Sequence, residues 1–597
     1  MNPLKYKRNC ILFIFMMHLL GAAVCFPQIV ETVDVNETLF SVEPNSKNMV
    51  IISKSDIEEL KIENMGDLFS FYTAVNVSKR SGSDSSFDIG MRGSNFEEVL
   101  VLVNGVRVNN PQTGHFNSDF PFSVKDIERV EIIRGGSSTI YGPGAFAGVI
   151  NIVLRNDRDF KVTGLLGQNK FFSTSIGVGK KLGDFWLSIS ADRESSDGYY
   201  KNREFSHWKF SASAGYEKEK SRLDLDSGYV KKDFGADGFY APYPSFEKIN
   251  SFFTRIQYEQ KFYPFSLMLS YAYDSHGDDF TLDRTRPQFF ENESDTRTHY
   301  GAVRLSFTDK TGKWNGGAGV EFNSEKMESL NMGNRERYTG ALFANVEYGF
   351  SSGWGVDLGV RETFLEFGKG NTTWYMGLFH RINGELIIRG GYGKSFRLPS
   401  FTELYYNSPG NIGNVLLKPE TSRNLELSLT WTKNTYITDI SIFYRNQNNL
   451  LDWVKFTTDR GESWQSVNIE KNDLLGFEWT QQLRLNGTLL IMGIEKIVSV
   501  NEQAGFISKY GLRFPDFSIK TNIVQRIGEK VNLALNYMYK RLYRTEEKGH
   551  FVNATISVPV GRMEISLRAE NLLNTIIEEI PGVKIPGRWI YMGFTYR

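Results

Sequence analysis

The most constraining feature of this chain is a period-two alternation of apolar and polar residues. It begins near Phe160 and continues for about 400 residues, in segments of about 8 to 12 residues that are separated by turn residues. Such alternation predicts β-strands with one apolar and one polar face. Three segments show it most clearly: Trp208–Tyr216, Leu342–Phe350, in which Phe343 breaks the pattern, and Val531–Tyr539.

Two architectures can use such strands. Soluble β-sandwiches bury the apolar face against a second sheet, whereas a transmembrane β-barrel turns it outward to lipid. The unbroken length and the aromatic residues near segment ends favour the barrel. Residues 158–597 divide into about 22 strand-and-connection units of about 20 residues each, and a barrel of that size has a lumen wide enough to need a plug.

The segment before the barrel has a different pattern. Residues 49–157 predict a small α+β unit with two short helices and strands at Val99–Val103, Val130–Ile133 and Val149–Leu154. Ser55 and Glu58 have the spacing of a helix capping box. Residues 26–48 are polar without helical periodicity and predict a flexible arm. We therefore expect an antiparallel barrel with this unit as a plug inside its lumen.

Residues 1–25 have the features of a secretory signal peptide. A basic start is followed by the apolar run Ile11–Leu20 and by small residues suited to cleavage. Cys10 and Cys25, the chain's two cysteines, lie in this segment, so we expect no thiol chemistry in the mature protein. The chain has 69 basic and 69 acidic residues, which argues against nucleic-acid binding.

Several ordered motifs resemble those of TonB-dependent outer-membrane receptors. They are "VETVDV", "IGMRGS", "VLVLVNGVRVNNPQTG", "IERVEIIRGGSSTIYGPGAFAGVINIV", "YGKSFRLPSFTELYYNSPGNIGN" and "AENLLNTIIEEIPGVKIPGRWIYMGFTYR". The chain is most similar to the smaller, cobalamin-receptor-type members. One departure is the C-terminus, Tyr596-Arg597, where the family usually has Phe for the barrel-assembly machinery to read. The last strand still alternates, so we expect assembly to be intact.

The resemblance implies a TonB box in the arm, at Glu31, Thr32, Val33, Asp34 and Val35. A mobile extended segment of this kind can add as a strand to a partner sheet. The partner implied is TonB, with its inner-membrane energising complex. An ordinary linker is the alternative interpretation.

Two loops are candidates for substrate contact. In the first, "NNPQTGHFNSDF", polar groups and rings lie on a loop suited to recognition; in the second, "DFGADGFYAPYPSF", several rings lie among turn residues. A solvated turn and an interfacial aromatic girdle are the respective alternatives. The candidate residues are Asn109, Gln112, His115, Phe116, Asn117, Phe239 and Tyr240.

Four charged residues are candidates for a latch between plug and barrel. Arg92 and Arg134 would lie on the plug inside the lumen, where buried charges need partners. The resemblance implies that Glu426 and Glu478 of the barrel supply them. If the chain does not form a barrel, the alternative is that these four residues are scattered surface charges.

Metal and catalytic sites have little support in the sequence. The histidines are scattered, and none lies between Phe396 and Leu417, where haem receptors of this family carry one. Calcium in extracellular loops has weak support from Asp278, Asp279, Asp283, Glu291, Glu293 and Asp295, which also fit a solvated acidic loop. No catalytic motif is present, so we expect no enzyme and no resident cofactor.

The sequence therefore predicts a monomeric, lipid-embedded outer-membrane importer that takes up a scarce large nutrient by TonB-dependent transport. A cobalamin-type corrinoid or a ferric chelate is the expected substrate, with a ferric-siderophore receptor specifically as one alternative. A passive porin would lack the plug and the TonB box. A secreted enzyme with β-domains would need a catalytic cluster.

Overall fold

The computed structural model describes residues 46–155, 159–365, 370–456, 463–500, 505–528 and 530–597. The predicted signal peptide and TonB box lie outside these ranges. None of the helices in the described ranges is long and apolar enough to cross a bilayer.

The N-terminal unit contains seven strands and three short helices within the described ranges. The elements are β1 (Met49–Ser53), α1 (Lys54–Glu59), α2 (Met65–Ser70), β2 (Val75–Lys79), β3 (Phe87–Met91), β4 (Val99–Val103), β5 (Val106–Arg107), 3-10 turns at Gly114–Ser118 and Val124–Asp126, β6 (Ile127–Arg134), α3 (Ser138–Tyr141) and β7 (Gly148–Leu154). Five of the strands form a mixed sheet with the order β1-β6-β7-β4-β5, in which β4 and β7 are parallel. Strands β2 and β3 form a separate hairpin.

The start of α1 corrects the sequence analysis. Ser53, not Ser55, caps this helix: its Oγ accepts a hydrogen bond from the Asp56 amide, and the Asp56 carboxylate accepts one from the Ser53 amide. The Ser55 hydroxyl bonds to Ser53 Oγ at 2.7 Å. Both serine–acid pairs have capping-box spacing, and the sequence does not distinguish them because strand β1 decides where the helix can begin.

The rest of the chain forms a closed antiparallel barrel of 22 strands, with three further short strands (407–408, 411–412 and 506–508) and one hairpin (578–584) in its connections. The first and last barrel strands, at 161–167 and 589–596, pair and close it. The strands are β8 (Lys161–Gly167), β9 (Phe171–Leu182), β10 (Phe185–Ser196), β11 (Phe205–Lys218), β12 (Ser221–Gly235), β13 (Phe246–Phe262), β14 (Phe265–Thr281), β15 (Glu291–Thr308), β16 (Trp314–Ser329), β17 (Arg335–Gly349), β18 (Trp354–Leu365), β19 (Gly370–Ile382), β20 (Leu386–Arg397), β21 (Asn407–Ser408), β22 (Asn411–Ile412), β23 (Glu420–Lys433), β24 (Tyr436–Phe456), β25 (Trp464–Leu485), β26 (Thr488–Ser499), β27 (Phe506–Ser508), β28 (Pro515–Ile527), β29 (Val531–Leu542), β30 (Lys548–Val560), β31 (Met563–Glu570), β32 (Glu578–Ile580), β33 (Val583–Lys584) and β34 (Trp589–Tyr596). Two further short elements lie in barrel connections, a 3-10 turn at Pro287–Phe289 and helix α4 (Phe401–Tyr405).

The alternation places apolar side chains on the outside of the barrel. On β11, Trp208 and Phe210 are exposed, while His207, Lys209 and Ser211 face the filled lumen and are buried. The irregular Phe343 points inward, where its ring lies 5.5 Å from the Arg361 guanidinium. An outward apolar band with an inward polar face is the arrangement that lipid requires of a barrel.

The two ends of the barrel differ in the length of their connections. Short turns, such as 183–184, 219–220 and 434–435, lie at the end where β8 begins, whereas long connections such as 398–419 and 571–588 lie at the other. In outer-membrane barrels the short turns face the periplasm and the long loops face outward. The α+β unit fills the lumen between them, and its apolar core is continuous with inward-facing wall residues such as Phe253 and Leu489.

Candidate functional site

A cavity of about 820 Å³ lies where the apex of the plug meets the extracellular ends of the barrel; we call it the apical cavity. The plug supplies its floor through residues 95–97 and 112–116. Side chains from the barrel connections and strand ends supply its walls: Tyr240, Glu247, Asp278, Phe280, Asn292, Ser400, Thr402, Glu403, Tyr406, Asn411, Leu451, Asp452, Trp453, Lys509 and Tyr510.

His115 is at the centre of the plug floor. Its Nδ1 lies 2.8 Å from Asp88 Oδ1 and 2.8 Å from Arg80 Nη2, and its ring contacts those of Phe96 and Tyr510. Burial, reinforced by the Arg80 charge, lowers the pKa of His115 to about 4. The imidazole is therefore neutral at physiological pH.

Three more of the predicted substrate residues line the apical cavity. Gln112 donates to Asp278 Oδ2 at 3.2 Å, while its side-chain carbonyl oxygen has no hydrogen-bond partner among the described residues. Phe116 packs on the ring of His276, with 4.4 Å between centroids. Tyr240 donates to Glu247 Oε2 at 3.1 Å. An unsatisfied buried acceptor is a group that a bound ligand can satisfy.

The other three predicted residues lie elsewhere. Asn109 is bound to the backbone of β4, donating to the Val99 carbonyl and accepting from the Val101 amide. Asn117 accepts from the Asn110 amide at 3.0 Å. Asn109 and Asn117 line a neighbouring cavity of about 780 Å³. Phe239 is buried in an apolar cluster beneath the loops. Substrate contact by all seven residues remains a prediction.

The charge of the apical cavity was not foreseen from the sequence. Its lining includes five carboxyl groups, on Glu97, Glu247, Asp278, Glu403 and Asp452, and the amine of Lys509. Glu403 is paired with Arg397, and burial raises the pKa of Glu97 to about 7, so the lining does not carry five full negative charges. Burial, together with nearby Arg80 and Lys455, lowers the pKa of Lys509 to about 7, so that amine is only partly charged. These side chains come from separate loops, whose convergence depends on the closed barrel.

Below the apical cavity, the four predicted latch residues lie together. Arg92 Nη1 donates to Glu426 Oε2 at 2.9 Å, and its Nε and Nη2 donate to the two oxygens of Glu478 at 2.8 and 2.7 Å. Arg134 Nη1 donates at 3.2 Å to Glu478 Oε2, the oxygen that also accepts from Arg92 Nη2. Glu478 is fully buried.

Two further members of this cluster, Asp439 and Ser441, are not among the residues predicted from the sequence. Asp439 forms an ion pair with Arg134 and also accepts from Asn48 Nδ2 at 3.1 Å. Ser441 bridges Arg92 Nη2 and Glu426 Oε1, at 3.0 Å to each. Both lie on β24, between the strands that carry Glu426 and Glu478. Strand pairing could have identified Ser441, because it is directly opposite Glu478.

The first described residues connect the arm to this cluster. The Ser46 amide donates to Asp357 Oδ2 at 3.0 Å, and the Ser46 hydroxyl lies 2.8 Å from the Tyr375 hydroxyl. Lys47 Nζ donates to the Gly136 carbonyl at 2.7 Å. The predicted TonB box is thus joined to a segment that contacts both the barrel wall and the plug.

No group of three His, Cys, Asp or Glu residues with metal-site geometry occurs within the described ranges. Of the acidic residues considered for calcium, Asp278 faces Gln112 in the lumen, and Asp279 is exposed on the other face of β14. Asp283 accepts from the Thr285 amide and hydroxyl. Calcium binding stays a prediction with weak support.

Together, the fold and the cavity define a class: a plugged outer-membrane barrel with a cavity at its extracellular end. The family model for the TonB-dependent receptor plug domain matches residues 42–149, and the model for the TonB-dependent receptor-like β-barrel matches residues 138–553. The chain belongs to the TonB-dependent receptor family, and it is an integral outer-membrane protein.

Relatives at low identity include two vitamin B12 transporters named BtuB. The one from Vibrio cholerae is 23% identical over 95% of both chains, and the one from Photobacterium profundum is 23% identical over 77% of this chain and 78% of its own. The siderophore receptor PirA of Acinetobacter baumannii has the same fold, with a TM-score of 0.74, 14% identity and coverage of 92% of this chain and 98% of its own. These relatives are transporters and receptors by name.

Proposed function

We propose that this protein imports a cobalamin-type corrinoid across the outer membrane, with energy delivered through TonB from the inner-membrane complex. The observation that carries the proposal is the apical cavity directly above a plug that is ion-paired to the barrel wall. Substrate binds outside, and the plug below it blocks free passage. We expect no catalytic step, and we expect a monomer inserted in lipid by the barrel-assembly machinery.

The charge of the apical cavity favours a corrinoid over an anionic ferric chelate. A polyanion needs cationic groups to offset its charge in a confined, low-dielectric site, and the lining supplies only the partly charged Lys509 amine beside five carboxyl groups. A corrinoid presents peripheral amide groups, which can donate to carboxylates and to the unpaired Gln112 oxygen. Its large apolar surface suits the rings of Phe96, Tyr406 and Tyr510.

Ferric-siderophore import is the second candidate, supported by the fold shared with siderophore receptors. Passive diffusion is disfavoured by the way the plug is held. The plug bonds to the wall on several sides, including Arg92 with Glu478, Lys520 with the Tyr72 carbonyl, and Arg484 with Glu59. A passive porin does not need a plug that is fixed to the barrel wall.

In the proposed mechanism, substrate binding at the plug apex shifts the plug between two states. A ligand can shift this equilibrium only by its differential affinity for the two states. Exposure of the TonB box to TonB follows that shift. TonB then pulls through the arm, and Ser46–Asn48 transmit the force to the plug.

Growth rescue tests this function. A bacterial host lacking its own corrinoid and siderophore receptors would express the chain and receive cobalamin, a ferric catecholate or a ferric hydroxamate, with and without TonB. We expect TonB-dependent use of cobalamin. Uptake that persists without TonB contradicts the mechanism, and uptake of ferric chelates alone contradicts the substrate. A variant with Glu31–Val35 deleted serves as a second TonB-uncoupled control.

A further inference from the structure

Two cavities lie on the same side of the plug, one above the other. The upper cavity, of about 780 Å³, lies between the plug and a wall that includes Tyr300, Glu321 and Arg361. The lower cavity, of about 2480 Å³, extends from Arg304 and Phe343 to the short turn at Tyr263-Pro264, which places its mouth at the periplasmic end. Strands β15–β17 contribute to both cavities.

A single layer of side chains separates these cavities; we call it the partition. Glu321 Oε1 accepts from Arg304 Nη2 at 2.7 Å, and Glu321 Oε2 accepts from Arg361 Nη2 at 2.6 Å. Arg304 also donates to the Tyr300 hydroxyl at 2.9 Å. The upper cavity is lined by Tyr300 and Arg361 and the lower one by Arg304, so this ion cluster is the barrel half of the partition.

The plug half of the partition is the segment Gly136–Gly144, which contains α3. Ile140 lines the lower cavity, while Pro143 and Gly144 line the upper one. Arg361 Nη1 reaches the Ile140 carbonyl at 3.5 Å. A Cβ built on Gly359 of β18 would lie 2.9 Å from Thr139 Cγ2, so α3 lies directly on the wall.

The arm holds this segment in place. Lys47 donates to the Gly136 carbonyl, and the Arg134 amide donates to the Asn48 carbonyl at 3.1 Å. The next residues, β1, form the edge of the plug sheet against β6, which leads into Gly136–Gly144. A pull on the arm at Ser46 therefore removes these contacts before it reaches the rest of the plug.

We propose that the substrate crosses the lumen along β15–β18, through the partition, and that a pull on the arm opens it by releasing Gly136–Gly144 from the Arg304–Glu321–Arg361 cluster. The plug remains against the opposite wall during passage. This inference rests on the proposed function, because it assigns a route to the same transport.

A reversible cross-link tests the route. The Gly359 and Thr139 positions are close enough for a disulfide, whose Cβ atoms are about 3.5–4.5 Å apart. The Thr139→Cys/Gly359→Cys variant, when oxidised, should bind substrate but lose uptake at least tenfold, and reduction should restore it. Restoration on reduction also establishes that the variant is folded.

A second cross-link is the matched control. A Cβ on Gly493 of β26 would lie 3.0 Å from Thr73 Cβ, on another part of the wall, so a disulfide forms there after the two backbones move apart by about 0.5 Å. Thr73→Cys/Gly493→Cys, when oxidised, should keep at least half of the uptake. Loss of uptake in both oxidised variants means that the plug leaves as a whole, and retention in both means that the route lies elsewhere; either result overturns the proposal.

The cargo in these assays is whichever of cobalamin, the ferric catecholate and the ferric hydroxamate the unmodified chain imports. Failure of cobalamin alone therefore contradicts the proposed function without affecting the route test.

A second experiment needs no transported substrate. It uses Glu321→Gln, which leaves the guanidinium groups of Arg304 and Arg361 facing each other without the carboxylate between them. We expect severalfold greater sensitivity to a glycopeptide antibiotic too large for porins, and unchanged sensitivity with Glu336→Gln, whose carboxylate pairs with Lys326 on an exposed surface. Equal sensitivity of the two variants overturns the partition.

Discussion

Replacing Glu478 by glutamine tests the ion cluster that joins plug and barrel. In the native protein this fully buried carboxylate accepts from Arg92 at 2.8 and 2.7 Å and from Arg134 at 3.2 Å. Glutamine keeps the shape of the side chain but removes the charge, and its NH2 group replaces one accepting oxygen, so at least one guanidinium N–H loses its acceptor. Two buried cations then share only Glu426 and Asp439.

Breaking a buried ion pair by neutralising one partner costs about 3–5 kcal/mol. The lower end of this energy range applies here because each arginine keeps a second carboxylate, Glu426 for Arg92 and Asp439 for Arg134. About 3 kcal/mol corresponds to a rise of roughly 150-fold in the population of plugs detached from this part of the wall. The barrel is held by strand pairing and should be unaffected.

Hydrogen exchange of the reconstituted receptor measures this population. The Arg134 and Gly135 amides are bonded to the carbonyls of Asn48 and Ala147, and they exchange only when the plug opens locally. We expect their exchange in Glu478→Gln to be faster by about two orders of magnitude. Glu426→Gln is the matched control: Glu426 is partly exposed and pairs with Arg92 alone, so the effect should be smaller. Native protection in Glu478→Gln would refute the reasoning.

Three further predictions concern the plug, the apical cavity and the barrel surface. Gly148→Ala should destabilise the plug by about 2 kcal/mol or more in hydrogen exchange, because its Cβ would clash with Met91 Sδ and lie 2.7 Å from the Ile133 carbonyl oxygen; unchanged protection contradicts this. The pKa of Lys509 is lowered to about 7, so its charge, which attracts anions, is gained as the pH falls through 7. The affinity for an anionic chelate, measured by calorimetry, should therefore increase from pH 8 to pH 6. If Lys509→Met shows the same change of affinity with pH, this lysine is not its cause. Phe210→Arg, on the lipid face, should lower the free energy of unfolding by about 2–4 kcal/mol, measured by denaturant unfolding from liposomes. Lys218→Arg, near the strand end, is the control, and equal stability of the two variants would contradict the outward orientation of Phe210.

The barrel was predictable because a strand's faces follow from alternation alone. Side chains two residues apart share a face, so the outward Trp208 and Phe210 could be read directly from the sequence. Arg92, Arg134, Glu426 and Glu478 were found through family motifs, and the structure places them in one cluster.

What the sequence does not provide is the juxtaposition of distant segments. Asp439 joins the cluster only because β24 lies between β23 and β25. The lining of the apical cavity depends on which loops converge, and loop sequences carry no signal of that convergence. Phe343 disrupts the alternation because it packs against arginines of the partition, a contact that exists only with the barrel closed.

Uptake of radiolabelled cobalamin by cells that express this chain tests the central claim most directly. Isogenic hosts with and without TonB, each lacking other corrinoid receptors, would be compared at a cobalamin concentration too low for diffusion. The account predicts accumulation in the TonB-positive host, and surface binding without accumulation in the TonB-negative host. Equal accumulation in both hosts, or no cobalamin bound by either, would contradict it.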